Sequence, residues 1–419
     1  MQRTLGSLQV ASLLVSASYG IGLLFGTGEQ ALSHGMAGGI YGVATGAGML
    51  LLAVLARRLW TTGLPIWDLF AQFYGVGLQR PVALLSLVWM AGVLAAQIHG
   101  GVAVMQLLRL GYLPGLLLVL ALLFGVSRLE LRFAATVFSL CLVASAVVLV
   151  YALVSTNGLG LYLHAIPLFL GDAGSFPTGQ LLAILLAVSL LVCMGADYQQ
   201  FVLAAKSPWA AFWGCVLAAL ALFAIGFLPA ALVVAMMKSG ALNEFSAGKQ
   251  VIPLILGQVA GTLGPAAEKS MLMALSVAAL GSGAAILRAM TDALASAVPA
   301  HRVTRRPVLT LVALATGAGL AARDQGIIDT MVSVNVVYIA SIGVAFVALM
   351  RGTALPLRHA SATMGTGFVL ALGVQLVSWA GWTMGDTDMV SLMVGMSGSM
   401  AMALLLRSAS LRRAVRPAS

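Results

Sequence analysis

The sequence predicts an all-α polytopic membrane protein of about twelve transmembrane helices. Three observations predict it. Of 419 residues, 61% are hydrophobic and only 8% are charged, with a mean hydropathy of +1.04; a soluble chain carries roughly 25% charged residues. Apolar stretches long enough for the ~20 residues that a crossing helix needs recur along the whole chain. Lys and Arg fall between those stretches in a one-sided pattern, as the positive-inside rule requires.

The first span, near 8–33, is interrupted. Within ASLLVSASYGIGLLFGTG, the residues Ser16, Ser18, Tyr19, Gly20 and Gly22 break an apolar run, and Glu29 follows. A helix that only anchors has no need of such a break. In lipid it frees backbone N–H and C=O groups, which must find partners in protein, water or a ligand. Discontinuous helices near the midplane are where secondary transporters hold substrate and ion. Transport is the function this span implies.

The second span (36–57) carries Gly38, Gly42 and Gly46 at four-residue spacing, a face for close helix packing. Ile66 to Tyr74 is amphipathic and is assigned to the membrane surface. Spans three to five lie near 79–109, 113–127 and 132–155. The outer loop from Asn157 to Gly179 has no Lys or Arg. Span six (178–203) has a polar interruption at Gly195, Asp197, Gln199 and Gln200, and span seven covers 208–238. Ser239 to Pro265 is a second outer loop, whose apolar piece around Val251 to Ala260 is assigned as a cap. Spans eight to twelve lie near 267–298, 306–321, 327–350, 360–382 and 388–407. The span lengths are compatible with two inverted repeats of five helices, 1–156 and 178–350, joined by the loop 157–177, with the cap at 239–265 in the second. Two extra helices and a basic tail occupy 351–419, and the tail after Arg407 is assigned as disordered.

With the N-terminus inside, sixteen of the 22 Lys and Arg residues face the cytoplasm and five face out, while Arg288 lies within a span. This places both termini in the cytoplasm of a multi-pass inner-membrane protein. The net charge of +10 is therefore a topology signal, and no nucleic acid is expected as a partner. MQRTLGSLQV offers no signal peptide. Cys141, Cys193 and Cys215 lie inside spans and give no disulfide framework. None of the five histidines has metal-ligand spacing to another, and HExxH, phosphate-loop and GxSxG patterns are absent. Neither an enzyme nor an organic cofactor is expected.

Polar groups inside a membrane are the functional candidates. Tyr19 and Gly20 sit at the break itself. Glu29 lies about seven residues beyond it, roughly 10 Å toward the outside. It either lines an outer vestibule, attracting a cation or carrying a proton, or is capped by a neighbouring helix end. Gln97 stands near the middle of the third span on a face with Val93, Leu94 and Gly101, and can both donate and accept hydrogen bonds. His99 is roughly 200° around the same helix, as a proton carrier or a packing residue. Tyr198 and Gln199 in span six, and Asn335 and Tyr338 in span ten, complete the substrate candidates, while Gln375 is assigned a structural role. Arg288 and Asp292 are four apart and can pair along one helix face.

Four stretches carry a resemblance to a known family: FGTGEQALSHG after the broken span, AAQIHGG in span three, GADYQQFVLAAKSPWAAFWG at the six–seven junction, and LSVAALGSGAAILRA in span eight. Over most of residues 8–350 the chain resembles the sodium:solute symporter family of the amino acid-polyamine-organocation superfamily. The resemblance implies the leucine-transporter fold and cation-coupled symport of a small polar organic solute by alternating access. It also implies a sodium site at Val15, Ser18, Ala278, Gly281 and Ser282. An inner gate would join Arg3 to Asp292, with Asp197 and Arg288 close by. Two departures keep proton coupling open beside sodium. Gly281 stands where the family has a second hydroxyl, and RFAATVFSLCLV lacks the family's acid near the start of span five. A transporter-like sensor, a membrane enzyme and a channel are the rival classes. Spans eleven and twelve offer a surface for a homodimer.

Overall fold

Helices account for the described part of every span. The computed structural model describes residues 3–128, 143–144, 146–240, 242, 248–297, 305–322, 326–353, 355–382 and 386–415, without the side chains at 278–279, 285 and 409–415. Seven helical stretches are each long and apolar enough to cross a membrane alone, and the bent pair Thr178–Met194 and Ala196–Leu203 adds an eighth. Shorter apolar helices lie at Ser7–Ser18, Tyr112–Val126, Ala146–Ser155 and Arg306–Ala321. The start of span five, with Arg132 and Cys141, lies outside the described residues.

Two spans are broken. The first consists of Ser7–Ser18 and Ile21–His34. The sixth bends by 44° between its two helices. The others are Ile40–Thr62 (second), Gln79–Leu107 (third), Pro208–Ile225 with Leu228–Lys238 (seventh), Pro265–Ala297 (eighth), Ile327–Met350 (tenth), Leu357–Trp379 (eleventh) and Thr387–Val415 (twelfth). The twelfth helix continues past Arg407 to Val415, so the described part of the basic tail is helical where disorder was expected.

The spans pack in two groups. The second lies against the sixth and seventh, and Ser7–Ser18 lies against the seventh. The third lies against the eighth, ninth and tenth. The glycine face of the second span explains the first group's closeness. A Cβ on Gly42 would come within 2.6 Å of the Gly226 Cα, so only glycine lets these backbones meet. The tenth span joins both groups and carries the eleventh and twelfth on its other side.

At the face where the chain begins, the backbone before Ser7 is tied to the end of span six. The N–H groups of Thr4 and Leu5 donate to the Ala204 carbonyl at 3.0 and 3.1 Å, and Lys206 N–H donates to the Leu5 carbonyl at 2.9 Å. Ile66–Tyr74 packs here on its apolar side, and the Tyr74 hydroxyl donates to the Ala345 carbonyl at 2.6 Å. On the far face, Leu159–Leu163 and Ala165–Asp172 fold the first long loop. Val251–Gly261 forms the assigned cap, with Ile252 pressed against Gly28 of the first span.

Candidate functional site

The site grows from the break in the first span. The polar residues there end one helix and delay the start of the next. Tyr19 N–H bonds to the Val15 carbonyl at 2.7 Å, and the following helix makes its first bond from Leu24 N–H to Gly20 at 3.0 Å. Ile21–His34 opens without a side-chain cap. Among the described residues, nothing bonds to the N–H groups of Ile21, Gly22 and Leu23 or to the carbonyls of Ser16, Ala17 and Ser18. Helix ends with their groups unpaired in this way favour a polar ligand.

Side chains from three other spans converge on this break. An added Cβ at Gly20 would lie 3.2 Å from the Ser282 Oγ and 3.5 Å from the Gln97 Nε2. Gly20, Gln97 and Ser282 therefore share one small space. On the tenth span, Met331 lies against Gly22, and the Tyr338 hydroxyl reaches the Met194 carbonyl at 3.1 Å. Asn335 sits between those two positions on the same helix face. Gln97 and Asn335 are 3% and 1% exposed, yet Gln97 Oε1, Asn335 Oδ1 and the Tyr19 hydroxyl have no hydrogen-bond partner among the described residues. Buried polar atoms are normally paired, so this cluster of orphans is itself a signal.

The sixth-span break is built differently. Gly195 N–H bonds back to the Leu191 carbonyl at 2.6 Å. The freed carbonyls of Cys193 and Met194 accept from Gln199 Nε2 at 2.7 Å and from the Tyr338 hydroxyl. The Asp197 carboxyl faces the backbone N–H groups of its own first turn. The helix Ala196–Leu203 packs against Ser7–Ser18, so the two broken spans touch.

The structure brings Gly20, Gln97 and Ser282 together beside Tyr19, with Asn335 on the face of the tenth helix that Met331 turns to Gly22, while Tyr198 and Gln199 sit at the sixth-span break. Gly281 is buried beside Ser282 in the eighth helix, while the side chain of Ala278 is outside the described set. Ser18 donates its hydroxyl to the Leu14 carbonyl at 2.8 Å. His99 is half-buried on the third helix, on a different side from Gln97.

Of the two readings of Glu29 the structure has the helix-end cap: its Oε2 accepts from Ile327 N–H at 2.8 Å, at the N-terminus of the tenth helix, away from the break. Other assignments need correction. Arg3 does not meet Asp292. Its guanidinium donates to the Trp60 carbonyl at 2.8 Å and lies 4.2 Å from the Trp60 ring centroid. Arg288 does not pair with Asp292 either, and donates to the carbonyls of Ser127 and Val126 at 2.7 and 2.9 Å. Asp292 pairs with Arg306 at 2.7 Å on the surface. Glu29 and Arg288, both half-buried, satisfy the unpaired ends of neighbouring helices, which costs less than burying an ion pair. Tyr41, which lies near Asp197, was missed. No sequence signal marks it, because its relevance comes from the packing of span two against span six.

A separate cavity of about 250 Å³ opens beside Gln180, Asp329, Gln375, Asp386 and Asp388, near the far ends of spans six, ten, eleven and twelve. Gln375 donates to Asp388 at 2.6 Å there, the structural role assigned to it.

No protein-family model and no curated protein matches the chain. Solved structures do. A Na+-coupled sialic acid symporter in a substrate-bound, outward-open state is 13% identical, with a TM-score of 0.66 over 96% of this chain and 90% of that one. Mhp1 in an inward-facing conformation is 15% identical, with a TM-score of 0.58 over 100% and 96%. MhsT in complex with L-phenylalanine is 13% identical, with a TM-score of 0.51 over 98% and 100%. The chain has the fold that these transporters share, the leucine-transporter fold.

Proposed function

We propose that this protein is a secondary active transporter that moves a small polar organic solute through alternating access, coupled to a cation. One observation carries the reading. The first-span break presents unpaired N–H and C=O groups to a space where Gln97 and Asn335 hold unpaired acceptor oxygens. A solute with both donors and acceptors fits such a lining. The two groups of spans would move against each other about the tenth, exposing that space to each face in turn. A sensor of the same fold would bind and hold; a transporter must also release on the far side.

Sodium is the ion the resemblance implies, at Val15, Ser18, Ala278, Gly281 and Ser282. The Ser282 hydroxyl beside Gly20 supports it. A proton is the second reading, kept open by Gly281 standing where the family has a second hydroxyl.

The test begins with thermal unfolding of the purified protein against sialic acid, L-phenylalanine and bromovinylhydantoin, the compounds bound by or named for similar structures. Sodium, potassium and choline chloride at equal ionic strength separate the ions. A ligand at a hundred times its Kd raises stability by about 2.7 kcal/mol. Stabilising solutes then enter counterflow in proteoliposomes. Exchange of labelled solute supports transport; saturable binding without exchange supports the sensor.

A further inference from the structure

Packing alone does not explain Gln97. It stands on the third helix, 3% exposed, and its Nε2 lies 3.5 Å from where a Cβ on Gly20 would stand. Its Oε1 has no hydrogen-bond partner among the described residues. A side-chain amide offers a donor and an acceptor side by side in one plane. The group that satisfies both at once is another amide edge, one whose N–H and C=O point the same way. Lactams, cyclic imides and cyclic ureides hold that cis arrangement. Glutamine reads the donor–acceptor edge of adenine by the same kind of pairing.

The rest of the lining continues the pattern. Asn335 Oδ1 is a second unpartnered acceptor, on a side chain 1% exposed and one turn from Met331, which lies against Gly22. The N–H groups of Ile21, Gly22 and Leu23 are donors at the start of their helix. All of these groups are neutral. The charges embedded in the bundle are committed elsewhere: Glu29 to the Ile327 N–H, Arg288 to the Val126 and Ser127 carbonyls, and Arg58 to the Leu349 carbonyl at 3.1 Å. A carboxylate only accepts, so it would leave Gln97 Oε1 and Asn335 Oδ1 bare. An ammonium only donates, so it would leave the helix start bare. A zwitterion does both, but gives up the hydration of two full charges for neutral partners, which costs far more than moving an amide. An uncharged amide edge meets each group without that loss.

We propose that the centre selects an uncharged solute by a cis-amide edge, whose N–H donates to Gln97 Oε1 and whose C=O accepts from Gln97 Nε2. This deepens the transporter reading above and rests on it for the solute's passage. A second carbonyl on the solute meets the N–H groups of Ile21, Gly22 and Leu23, and a second N–H meets Asn335 Oδ1. Gly20 keeps the space open, since a methyl there would stand 3.2 Å from the Ser282 Oγ. Gln97 is then the residue that sets specificity.

Three related probes test this on the purified full chain, by thermal unfolding and titration calorimetry. Glycine anhydride is uncharged and carries two cis-amide edges. Sarcosine anhydride is the same ring with both N–H groups methylated. Glycylglycine is the opened zwitterion. Glycine anhydride should raise Tm saturably. The other two should bind about tenfold more weakly or worse, the loss expected when a buried acceptor is left bare. Gln97→Glu turns the donor–acceptor pair into two acceptors. That variant should lose glycine anhydride and gain 2-iminopiperidine, a cyclic amidinium with two N–H donors, which wild type rejects. A packing role for Gln97 would weaken all probes alike. Should Gln97→Glu not fold, the two anhydrides compared in wild type decide alone. Equal binding of the two anhydrides, a preference for glycylglycine, or no binding of glycine anhydride overturns the proposal. Counterflow is read separately. Glycine anhydride bound with this selectivity but not exchanged supports the amide edge and removes transport. Exchange of L-phenylalanine or sialic acid with no binding of glycine anhydride keeps transport and overturns the amide edge.

Discussion

The two broken spans solve one problem in opposite ways. Both release backbone groups inside the bundle. At the sixth span the chain pairs them itself, with Gln199 on the Cys193 carbonyl and Tyr338 on the Met194 carbonyl. At the first span Ile21, Gly22 and Leu23 keep their N–H groups unpaired among the described residues. The closed break behaves as a joint and the open one as a socket. A joint must be stable in every state, whereas a socket must be incomplete until its ligand arrives.

The comparison breaks if substitutions at the two places have the same kind of effect. The largest effect is expected at the socket. Gln97→Ala should abolish counterflow of any panel solute, yet change thermal stability by less than about 1 kcal/mol, because the lost side chain holds an unpaired oxygen. At the joint, Gly195→Ala should do the reverse. Its methyl would press within 2.6 Å of Asp197 Oδ1 and 3.0 Å of the Leu191 carbonyl. Overpacking of this kind costs ~1–3 kcal/mol, read as a lowered Tm. Gln199→Ala strands the buried Cys193 carbonyl and should cost ~1–2 kcal/mol in the same measurement. Tyr338→Phe removes one longer hydrogen bond, for about 1 kcal/mol. The smallest change belongs to Glu29→Gln. It lowers the charge at the start of the tenth helix, worth ~0.3–1 kcal/mol, and should leave solute specificity unaltered. A Glu29→Gln protein that stayed stable but lost binding would return Glu29 to the socket.

Much of this architecture was legible in the chain. Hydropathy located the described helices of the spans, and the run Ser16–Gly22 marked the first break to within a residue or two. Gln97 and Asn335 stood out because amides are costly in apolar helices, and both converge on that break. What sequence could not show was pairing across the fold. Arg3 and Asp292 looked like gate partners, yet Arg3 lies on Trp60 and Asp292 on Arg306. Arg288 looked like a partner for its neighbour four residues on, and instead ends a helix from another span. Local spacing states which groups can meet along one helix, while an unpaired helix end elsewhere offers a stronger hold. Asp197 was visible as a polar residue near a bend, but the packing of its helix against the first and second spans was not.

The short strand-like pairing at the chain's start has a consequence for biosynthesis. Leu5 bridges to Ala205, so the amino terminus finds its place only after two hundred further residues have left the ribosome. The first span must enter the membrane without its final anchor. Its inner helix waits, unfastened, while five more spans are inserted. The assembly line closes on itself at Lys206, whose N–H returns to Leu5. Until that moment the socket has one loose wall, and a nascent chain stalled before span six is one that quality control can still recognise as unfinished.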